Sequence, residues 1–422
     1  MRILFVSSQY PPYELGGYEQ LCHETTIDLL SRGHEVKVLT SRYGVKSKDE
    51  INNGVVTRSL HLMADIHYYK PFDFFFKLPL QERENLAELK KNIDQFKPDV
   101  IMFWGMFAMS HNLPYWAEKW MPGRVTYYMA SYWPIDVDIH ASYWMSPTNR
   151  WITEWIKRPL RTLALAKLRR EGYPPKLKFE HVISCSEYVR DRLVDAGKFP
   201  QSAGVVYAGA DPKPFQNLKT IHKIDSKQVV RLLYFGRLVS DKGVHTAIEA
   251  VGVLKKRGFT ERVDLTILGD GHPDYKNYLH QRVRELGIED QVHFSGKIAR
   301  EDIPEQLSRF DVFLFTSTWP EPFGRTIVEA MMAGLVVIGS DVGGSREIFQ
   351  YYDKEMLFQP EDADGLADRI TRVISDPGLC RLLINAGREL AFERFTIHQM
   401  TTGIESFLSE VSTRASVSGK NQ

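Results

Sequence analysis

The stretch Val312–Gly339, VFLFTSTWPEPFGRTIVEAMMAGLVVIG, contains a strand, a loop, a helix and a second strand in succession. Its two ends, Val312 to Phe315 and Val336 to Gly339, are short apolar runs of the length that is typical of buried strands. Between them, Pro322 and Gly324 mark a loop, and a segment with a helical apolar pattern follows. This order predicts two parallel strands with a covering helix.

Similar apolar runs, separated by helical stretches, occur along the rest of the chain. In the second half they are Val230 to Phe235, Val263 to Leu268 and Val292 to Phe294; in the first half they are Arg2 to Ser7, Glu35 to Thr40, Asp99 to Phe103, Val125 to Met129 and His181 to Cys185. We therefore predict an α/β fold with two Rossmann-like domains, whose parallel sheets face each other across a cleft. Ligands of such sheets bind beyond the carboxyl ends of the strands.

A segment with Gly and Pro punctuation separates the two series of strands. It runs from Gly204 to Pro214 and predicts a linker, with the domain boundary near Ala210. The predicted domains are residues 1–209 and residues 210–390. Residues 391–422 are expected to form a C-terminal helix that returns to the first domain, with a frayed polar tail from Ser412.

Composition and charge narrow the class of protein. The 422 residues carry a formal net charge of +1, whereas a nucleic-acid-binding surface needs a broad excess of Lys and Arg. The three cysteines are far apart and lack the spacing of zinc ligands. The N-terminus has no signal-peptide pattern, and no apolar run reaches the roughly 18 residues that a bilayer requires. We expect a cytoplasmic protein that binds no nucleic acid.

Two cations follow the first strand of the second series. Arg237 comes after Gly236, and Lys242 lies in Asp241-Lys242-Gly243 at the start of the next helix. A guanidinium, an ammonium and the free N–H groups of a helix start form a favourable site for phosphates. The alternative is that both residues are ordinary surface charges.

Two glutamates, Glu321 and Glu329, lie eight positions apart at the corner between a loop and a helix. Pro322 restricts the chain, and Gly324 lets backbone N–H groups approach a ligand closely. The loop can hold a sugar and a phosphate, while Glu329 can accept hydrogen bonds from vicinal hydroxyls such as those of a ribose. The alternative is that Glu321 caps the helix and that Glu329 is solvated.

Together these segments resemble the retaining glycosyltransferases of family 4, which have the GT-B architecture. The resemblance covers Met1 to about Thr396 and rests on Gly236-Arg237, Asp241-Lys242-Gly243, Leu268-Gly269-Asp270-Gly271, Phe294-Ser295-Gly296, the segment from Glu321 to Glu329, and Ala333-Gly334 leading into Val336-Val337. It implies that the first domain binds the acceptor and that the second binds a nucleotide-sugar, most commonly of UDP and next of GDP.

The resemblance also implies roles for individual residues. Arg237 and Lys242 hold the leaving diphosphate, Glu321 contacts the donor sugar, and these three are the implied catalytic residues. Glu329 contacts the ribose, and Gly296 to Ile298 meets the nucleobase. The complete implied donor-binding set is Gly16, Gly17, Gly236, Arg237, Lys242, Gly269, Asp270, Lys297, Ile298, Glu321, Phe323, Gly324, Arg325, Thr326 and Glu329.

The implied reaction moves a sugar to a glycan or lipid-linked acceptor with retention, in bacterial surface polysaccharide or glycoconjugate synthesis. No cofactor and no metal are expected, since Arg237 and Lys242 supply the positive charge. Asp136-Val137-Asp138 has the spacing of a metal-diphosphate motif but lies away from the predicted diphosphate site. Two alternatives stay open: a sugar-nucleotide epimerase of the same architecture, and a glycan-binding protein that has lost catalysis.

The acceptor side departs from the family pattern. Many relatives place a histidine before a Tyr-Trp pair, but this chain has Met129-Ala130-Ser131-Tyr132-Trp133-Pro134. We assign Tyr132 and Trp133 to the acceptor side, because aromatic rings stack against the C–H faces of sugars. Replacing Trp133 by alanine is then expected to raise the acceptor requirement more than the donor requirement.

Two further stretches suggest a surface partner. Residues 150–180 contain nine Lys or Arg against three Asp or Glu, interleaved with Trp151 and Trp155, and residues 66–80 are rich in aromatic side chains. One interpretation is peripheral docking on an anionic membrane or on a lipid-linked acceptor. The other is a domain-packing helix with solvated charges beside an acceptor-pocket loop.

Overall fold

A computed structural model describes residues 1–13, 16–47, 51–64, 69–148, 151–218 and 229–418. The chain forms two compact units. The first contains Met1–Cys185, Val189–Val206 and Thr401–Gln422, and the second contains Ser186–Tyr188 and Tyr207–Met400. The last helix therefore begins in the second unit and continues in the first.

The first unit is built on a seven-stranded sheet. Its strands are β1 (Arg2–Ser7), β2 (Glu35–Ser41), β3 (Val56–Leu60), β4 (Val100–Phe103), β5 (Val125–Met129), β6 (His181–Ser184) and β7 (Gly204–Val205). They run in the order β3-β2-β1-β4-β5-β6-β7, and every pair is parallel. The helices of this half of the chain are α1 (Gly17–Ser31), α2 (Pro71–Phe76), α3 (Leu78–Phe96), α4 (Asn112–Trp120), α5 (Ile139–Met145), α6 (Trp151–Glu171) and α7 (Glu187–Asp195).

The second unit is built on a six-stranded sheet. Its strands are β8 (Val230–Phe235), β9 (Val263–Leu268), β10 (Val292–Gly296), β11 (Val312–Phe315), β12 (Val336–Ser340) and β13 (Leu357–Phe358). Their order is β10-β9-β8-β11-β12-β13, again with every pair parallel. The remaining helices are α8 (Val244–Lys256), α9 (Pro273–Leu286), α10 (Ile303–Leu307), α11 (Arg325–Ala333), α12 (Ser345–Tyr351), α13 (Ala363–Ser375), α14 (Pro377–Arg394) and α15 (Ile397–Ser418).

The predicted α/β class with two parallel, Rossmann-like sheets is confirmed. The central strands β4, β5, β11 and β12 are buried along their whole length, as strands covered by helices on both faces should be. In each sheet the strand order reverses at one place, between β1 and β4 and between β8 and β11. Such a switch point opens a crevice beyond the carboxyl ends of the two strands.

Three short strands and the end of the chain differ from the sequence predictions. Strands β3, β7 and β13 are not predicted from the sequence, and β7 lies inside the predicted linker. All three are edge strands of two to five residues, which pair on one side only. The tail predicted to be frayed from Ser412 is helical as far as Ser418 in α15, and residues 419–422 lie outside the described residues.

Helices α2, α5 and α6 form a small cluster of their own in the first unit. Its buried centre consists of Phe74, Trp144, Ala164 and Leu168. The Lys157 side chain lies across this cluster, with Nζ 4.1 Å from the centre of the Tyr143 ring.

Among the described residues, no helix is both long enough and apolar enough to cross a membrane.

Candidate functional site

The three predicted catalytic residues lie on two loops beside the switch point of the second sheet. Arg237 and Lys242 follow β8, and Glu321 follows β11, the strand that pairs with β8. Because the carboxyl ends of neighbouring parallel strands lie at the same edge of a sheet, the two loops adjoin there. The site begins with these two loops.

Lys242 and Glu321 form an ion pair within this site. Lys242 Nζ donates a hydrogen bond to Glu321 Oε1, and the same oxygen accepts a hydrogen bond of 2.8 Å from Ser317 Oγ. Glu321 is buried, and a buried carboxylate needs such partners because its loss of hydration is costly. Arg237 is exposed and has no carboxylate partner in the described part of the chain, so it can bind an anion.

Backbone contacts fasten the loop after β8 to the loop after β11. The carbonyl of Asp241 accepts the N–H of Thr318 at 2.9 Å, and Thr316 Oγ donates to the carbonyl of Lys242 at 2.9 Å. At Gly243 φ is 61°, and a Cβ atom would lie 2.0 Å from the carbonyl oxygen of Thr316. Only glycine fits at this position. These contacts fix the backbone next to the ion pair.

The predicted glycine after β9 is placed against the loop after β8. A Cβ atom at Gly269 would lie 1.8 Å from the carbonyl oxygen of Gly236, and one at Gly271 would lie 1.9 Å from that of Leu238. The N–H of Leu238 in turn donates to the carbonyl of Asp270 at 2.8 Å. The glycines therefore allow the two loops to approach more closely than side chains would permit.

Asp270, Lys297 and Ile298 lie on the loops after β9 and β10. Lys276 Nζ donates a hydrogen bond of 2.9 Å to Asp270 Oδ1. This hydrogen bond is the main reason that the pKa of Asp270 is lowered, and the charge of Lys297 adds to it. Lys297 is exposed and Ile298 is half-buried. The segment predicted to meet the nucleobase is thus at the same edge of the sheet as the other predicted donor residues of this unit.

Glu329 is buried on α11, and two arginines balance its charge. Its Oε1 lies 3.2 Å from Nε of Arg325 and 3.5 Å from Nη2 of Arg300. Arg325, one helical turn away, orients the carboxylate that is expected to meet the ribose. Glu329 and Arg325 belong to the predicted set, whereas Arg300 does not, because a contact between segments distant in sequence leaves no local pattern.

The loop before α11 is held by residues that the sequence analysis does not single out. The N–H of Gly344 donates to the carbonyl of Glu321 at 2.7 Å, and a Cβ atom at Gly343 would lie 2.3 Å from the same carbonyl oxygen. Gly324, with φ of 98°, precedes the first turn of α11. The first N–H groups of a helix lack acceptors within it, so the start of α11 favours an anion. The adjacent glycines Gly343 and Gly344, which follow the buried strand β12, are the feature of the sequence that could have indicated that this loop is held in place.

Phe323 and Thr326 complete the predicted set in this unit. The Phe323 ring is buried, with its centre 5.4 Å from that of Phe395 and 6.0 Å from that of Tyr207. This side chain anchors the loop, which leaves the backbone of Phe323 to meet a ligand. Thr326 is half-buried in the first turn of α11.

Gly16 and Gly17 belong to the first unit, whereas the other predicted donor residues belong to the second. They follow β1 at the switch point of the first sheet and begin α1. The N–H of Gly16 donates to the carboxylate of Glu19 at 3.1 Å. The backbone of Gly16 is extended, with φ of −166°, so its conformation does not require glycine.

The first unit contains a cavity of about 220 Å³ formed largely by residues that follow β4 and β5. Its lining includes the apolar side chains of Met63, Met106 and Trp133. It also includes three titratable side chains, His111, Asp136 and Asp138. Burial lowers the pKa of His111 and raises the pKa of the Asp136 carboxyl. The cavity can therefore offer both an apolar surface and hydrogen-bond acceptors to a ligand.

Of the two predicted acceptor residues, Trp133 lines this cavity, and Tyr132 is buried. The Trp133 ring is also part of the core, with its centre 5.0 Å from that of His111 and 5.6 Å from that of Phe179. Alanine at position 133 would remove a buried ring and leave a cavity. Its effect on the acceptor would then be mixed with a loss of stability.

Asp138 has structural partners. Its Oδ1 accepts the N–H groups of His140 at 2.9 Å and Ala141 at 3.4 Å, which caps α5. Its Oδ2 accepts a hydrogen bond of 3.1 Å from Tyr173 Oη. A helix cap thus accounts for one carboxylate of the Asp136-Val137-Asp138 segment. Among the described residues, no group of three or more His, Cys, Asp or Glu side chains is placed to hold a metal ion.

Comparisons with known proteins match both halves of the chain. The model of the family described as Glycosyltransferase Family 4 matches residues 15–213, and that of the family described as Glycosyl transferases group 1 matches residues 215–390. The chain is 26% identical over 408 residues to the glycogen synthase of Mycobacterium tuberculosis, which covers 92% of this chain and 90% of that protein. It is 24% identical over 405 residues to an uncharacterized glycosyltransferase of Methanocaldococcus jannaschii, and this match covers 94% of this chain and 95% of that protein.

A solved structure shares the fold over nearly the whole chain. Anabaena HepE in complex with UDP has a TM-score of 0.69 and 22% identity, and the match covers 97% of this chain and 100% of that one. A second complex of HepE contains UDP-glucose and matches with a TM-score of 0.67 at the same coverage and identity.

Proposed function

We propose a donor, an acceptor class and a mechanism for this chain, which belongs to glycosyltransferase family 4 and is a glycosyltransferase with the GT-B fold. It transfers a sugar from a UDP-sugar to a carbohydrate or lipid-linked acceptor and retains the anomeric configuration. The proposed setting is the cytoplasm, in the synthesis of a surface polysaccharide or glycoconjugate. The observation that carries the proposal is the Lys242–Glu321 ion pair beside the exposed Arg237.

A nucleotide-sugar donor is supported by the charges of this site. The planar guanidinium of Arg237 can bind two oxygens of a diphosphate, and Lys242 adds a compact positive charge. The N–H groups at the start of α11 favour the same negative charge. Glu329 can accept hydrogen bonds from ribose hydroxyls. The complexes of HepE with UDP and UDP-glucose support uracil as the base of the donor.

The proposed chemistry is stabilisation of the leaving diphosphate. As the bond from the anomeric carbon to the diphosphate oxygen breaks, negative charge grows on the diphosphate, where Arg237 and Lys242 stabilise it. Glu321 Oε1 accepts hydrogen bonds from Ser317 and Lys242. Oε2 is therefore left to accept a hydrogen bond from a hydroxyl of the donor sugar. The acceptor hydroxyl attacks on the face from which the diphosphate leaves: its oxygen forms the new bond to the anomeric carbon, its proton passes to the departing diphosphate oxygen, and configuration is retained. Arg237 and Lys242 supply the positive charge that stabilises the leaving diphosphate. No metal ion and no cofactor take part in the proposed reaction.

The acceptor is proposed to bind in the cavity of the first unit. Met63, Met106 and Trp133 offer apolar surface to the C–H faces of a sugar, and the Asp136 carboxylate can accept its hydroxyls. Asp136→Asn keeps the size of the side chain and removes its charge. We expect this variant, and Trp133→Phe, to raise the KM for the acceptor and to leave the KM for the donor unchanged. Equal changes in both constants would contradict the assignment.

Thermal unfolding with UDP, GDP and ADP tests the donor site, because a ligand of the folded state raises Tm. We expect UDP to raise Tm and Arg237→Ala to abolish the rise. The matched control is Arg309→Ala, which removes another exposed arginine of the same unit, paired with Glu305 at 2.6 Å. No rise with any nucleoside diphosphate would overturn the donor assignment.

Product analysis tests the reaction itself. Release of UDP that depends on an acceptor, with the anomeric configuration of the donor kept in the product, would support retaining transfer. A changed sugar-nucleotide formed without acceptor would indicate an epimerase instead. Glycan binding without turnover of any sugar-nucleotide would indicate a binding protein.

A further inference from the structure

The outer side of α6 carries an apolar surface that the packing of the first unit leaves uncovered. Trp151 and Trp155 are 80% and 76% exposed, and Ile152 and Ile156 are each more than half exposed. Leu163, also exposed, lies seven positions after Ile156. Residues separated by four and seven positions share one side of a helix. A contiguous apolar group of this kind marks an interaction surface.

The opposite side of the same helix is already occupied. Ala164 and Leu168 pack into the buried centre of the α2, α5 and α6 cluster, and Lys157 Nζ donates to the carbonyl of Ser146 at 2.7 Å. The helix therefore packs on its own unit with one side and presents Trp151 and Trp155 on another. The domain-packing interpretation of this segment accounts for the first side only.

The exposed apolar side chains are accompanied by uncompensated positive charge. Both acidic residues of α6 are paired within the helix, Glu154 with Arg161 at 2.7 Å and Glu171 with Lys167 at 2.8 Å. Three more arginines are exposed and have no carboxylate partner among the described residues: Arg158, Arg169 and Arg170. Arg150 lies outside the described residues. The helix thus combines exposed tryptophans with a net cationic surface.

We propose that this side of α6 docks on an anionic lipid bilayer. Tryptophan and isoleucine side chains enter the headgroup region, and the arginines face the anionic headgroups. Charge complementarity selects an anionic bilayer, because a neutral surface would leave Arg158, Arg169 and Arg170 without partners. The helix lies along the membrane surface. This inference does not depend on the donor site, and the two fail or succeed separately.

Co-sedimentation of the full chain with vesicles tests the docking. Phosphatidylcholine vesicles are compared with vesicles in which phosphatidylglycerol replaces part of the phosphatidylcholine. We expect binding to the anionic vesicles only, with a decrease as salt is raised. The double variant Trp151→Ser/Trp155→Ser should weaken binding at least about tenfold, because two large apolar side chains no longer enter the bilayer. The matched control is Trp116→Ser, which removes a tryptophan of α4 whose ring centre lies 5.0 Å from Lys119 Nζ. This variant should bind the vesicles as the wild type does.

Several outcomes would overturn the proposal. Equal binding to neutral and anionic vesicles would contradict the charge argument, and no binding to either would contradict docking. Self-association that the double variant abolishes, without vesicle binding, would assign the surface to a second copy of the chain. The Tm of each variant with and without UDP reports its fold and its donor site, so loss of docking is distinguished from loss of nucleotide binding.

Discussion

Replacing Glu321 by glutamine should tighten the binding of UDP while slowing sugar transfer. Lys242 Nζ donates to the Glu321 carboxylate, so a diphosphate that binds Lys242 must share it with a group of like charge. Glutamine keeps the shape of the side chain and can still accept the hydrogen bond from Ser317, but it removes the negative charge. The variant therefore separates the binding of the diphosphate from the handling of the sugar.

The size of the effect follows from the charges and their exposure. Two unit charges 4 Å apart interact by about 4 kcal/mol at an effective dielectric constant of about 20. The side chains of Lys242 and Glu321 are 23% and 12% exposed, so solvent screens part of this interaction. We expect a net gain of about 1 kcal/mol, which is about fivefold in the Kd of UDP. Turnover should fall by at least about tenfold, because the carboxylate no longer binds the reacting sugar.

Titration calorimetry with UDP at constant ionic strength measures the first effect, and acceptor-dependent UDP release measures the second. Lys242→Met is the complementary variant, which should weaken UDP binding and slow turnover together. UDP binding by Glu321→Gln that is equal to or weaker than that of the wild type would show that the ion pair does not oppose the diphosphate. The expected repulsion between Glu321 and the diphosphate would then be refuted even if turnover fell.

Three further predictions concern stability, packing and metals. Burial lowers the pKa of His140 from 6.5 to about 4, so the stability that the neutral side chain contributes is present above pH 6.5 and is lost as the pH falls toward 4. From pH 7 to pH 5 the free energy of unfolding of the wild type should therefore fall by about 2 kcal/mol more than that of the non-titrating variant His140→Asn. Parallel pH profiles of denaturant unfolding for the two proteins would contradict this. Gly269→Ala places Cβ 1.8 Å from the Gly236 carbonyl oxygen and should weaken UDP binding about tenfold in calorimetry, whereas Gly258→Ala, with φ of +83° but open space around Cβ, should leave it unchanged. A chelator should leave turnover unchanged, because Arg237 and Lys242 supply the charge that a metal would bring, and a loss that added Mg²⁺ restores would refute this.

The central strands of both sheets could be predicted because they are buried on both faces. A strand such as β11 or β12 has to be apolar at every position, and that run is visible in the sequence. The edge strands β7 and β13 have two residues each, which is too short for any periodicity to appear. Gly204-Val205 therefore reads as part of a linker, although it pairs with Ile183 and Ser184 of β6.

The position of a candidate site residue could be predicted where a charged residue lies next to a strand end. Arg237, Lys242 and Glu321 are of this kind, and their spacing from β8 and β11 locates them at one sheet edge. Arg300 could not be predicted, because its contact with Glu329 joins segments that are distant in sequence. Motif membership also does not give the direction of a side chain. The Phe323 ring, inside a predicted donor motif, packs against Phe395.

Backbone contacts hold the loops after β8, β9 and β11 in place, in addition to the Lys242–Glu321 ion pair. Gly243 and Gly269 lie where no Cβ atom fits, and each contacts the carbonyl of a neighbouring loop. The backbone next to Lys242 and Glu321 is consequently fixed in the folded chain, so little conformational freedom is lost when a diphosphate binds. The exposed side chains of Arg237 and Lys297 lie outside this backbone network. Changes of donor specificity should therefore be easier to obtain at Lys297, in the segment expected to meet the nucleobase, than at the glycines or at Arg237, since a substitution there leaves the loop framework and the diphosphate contact intact.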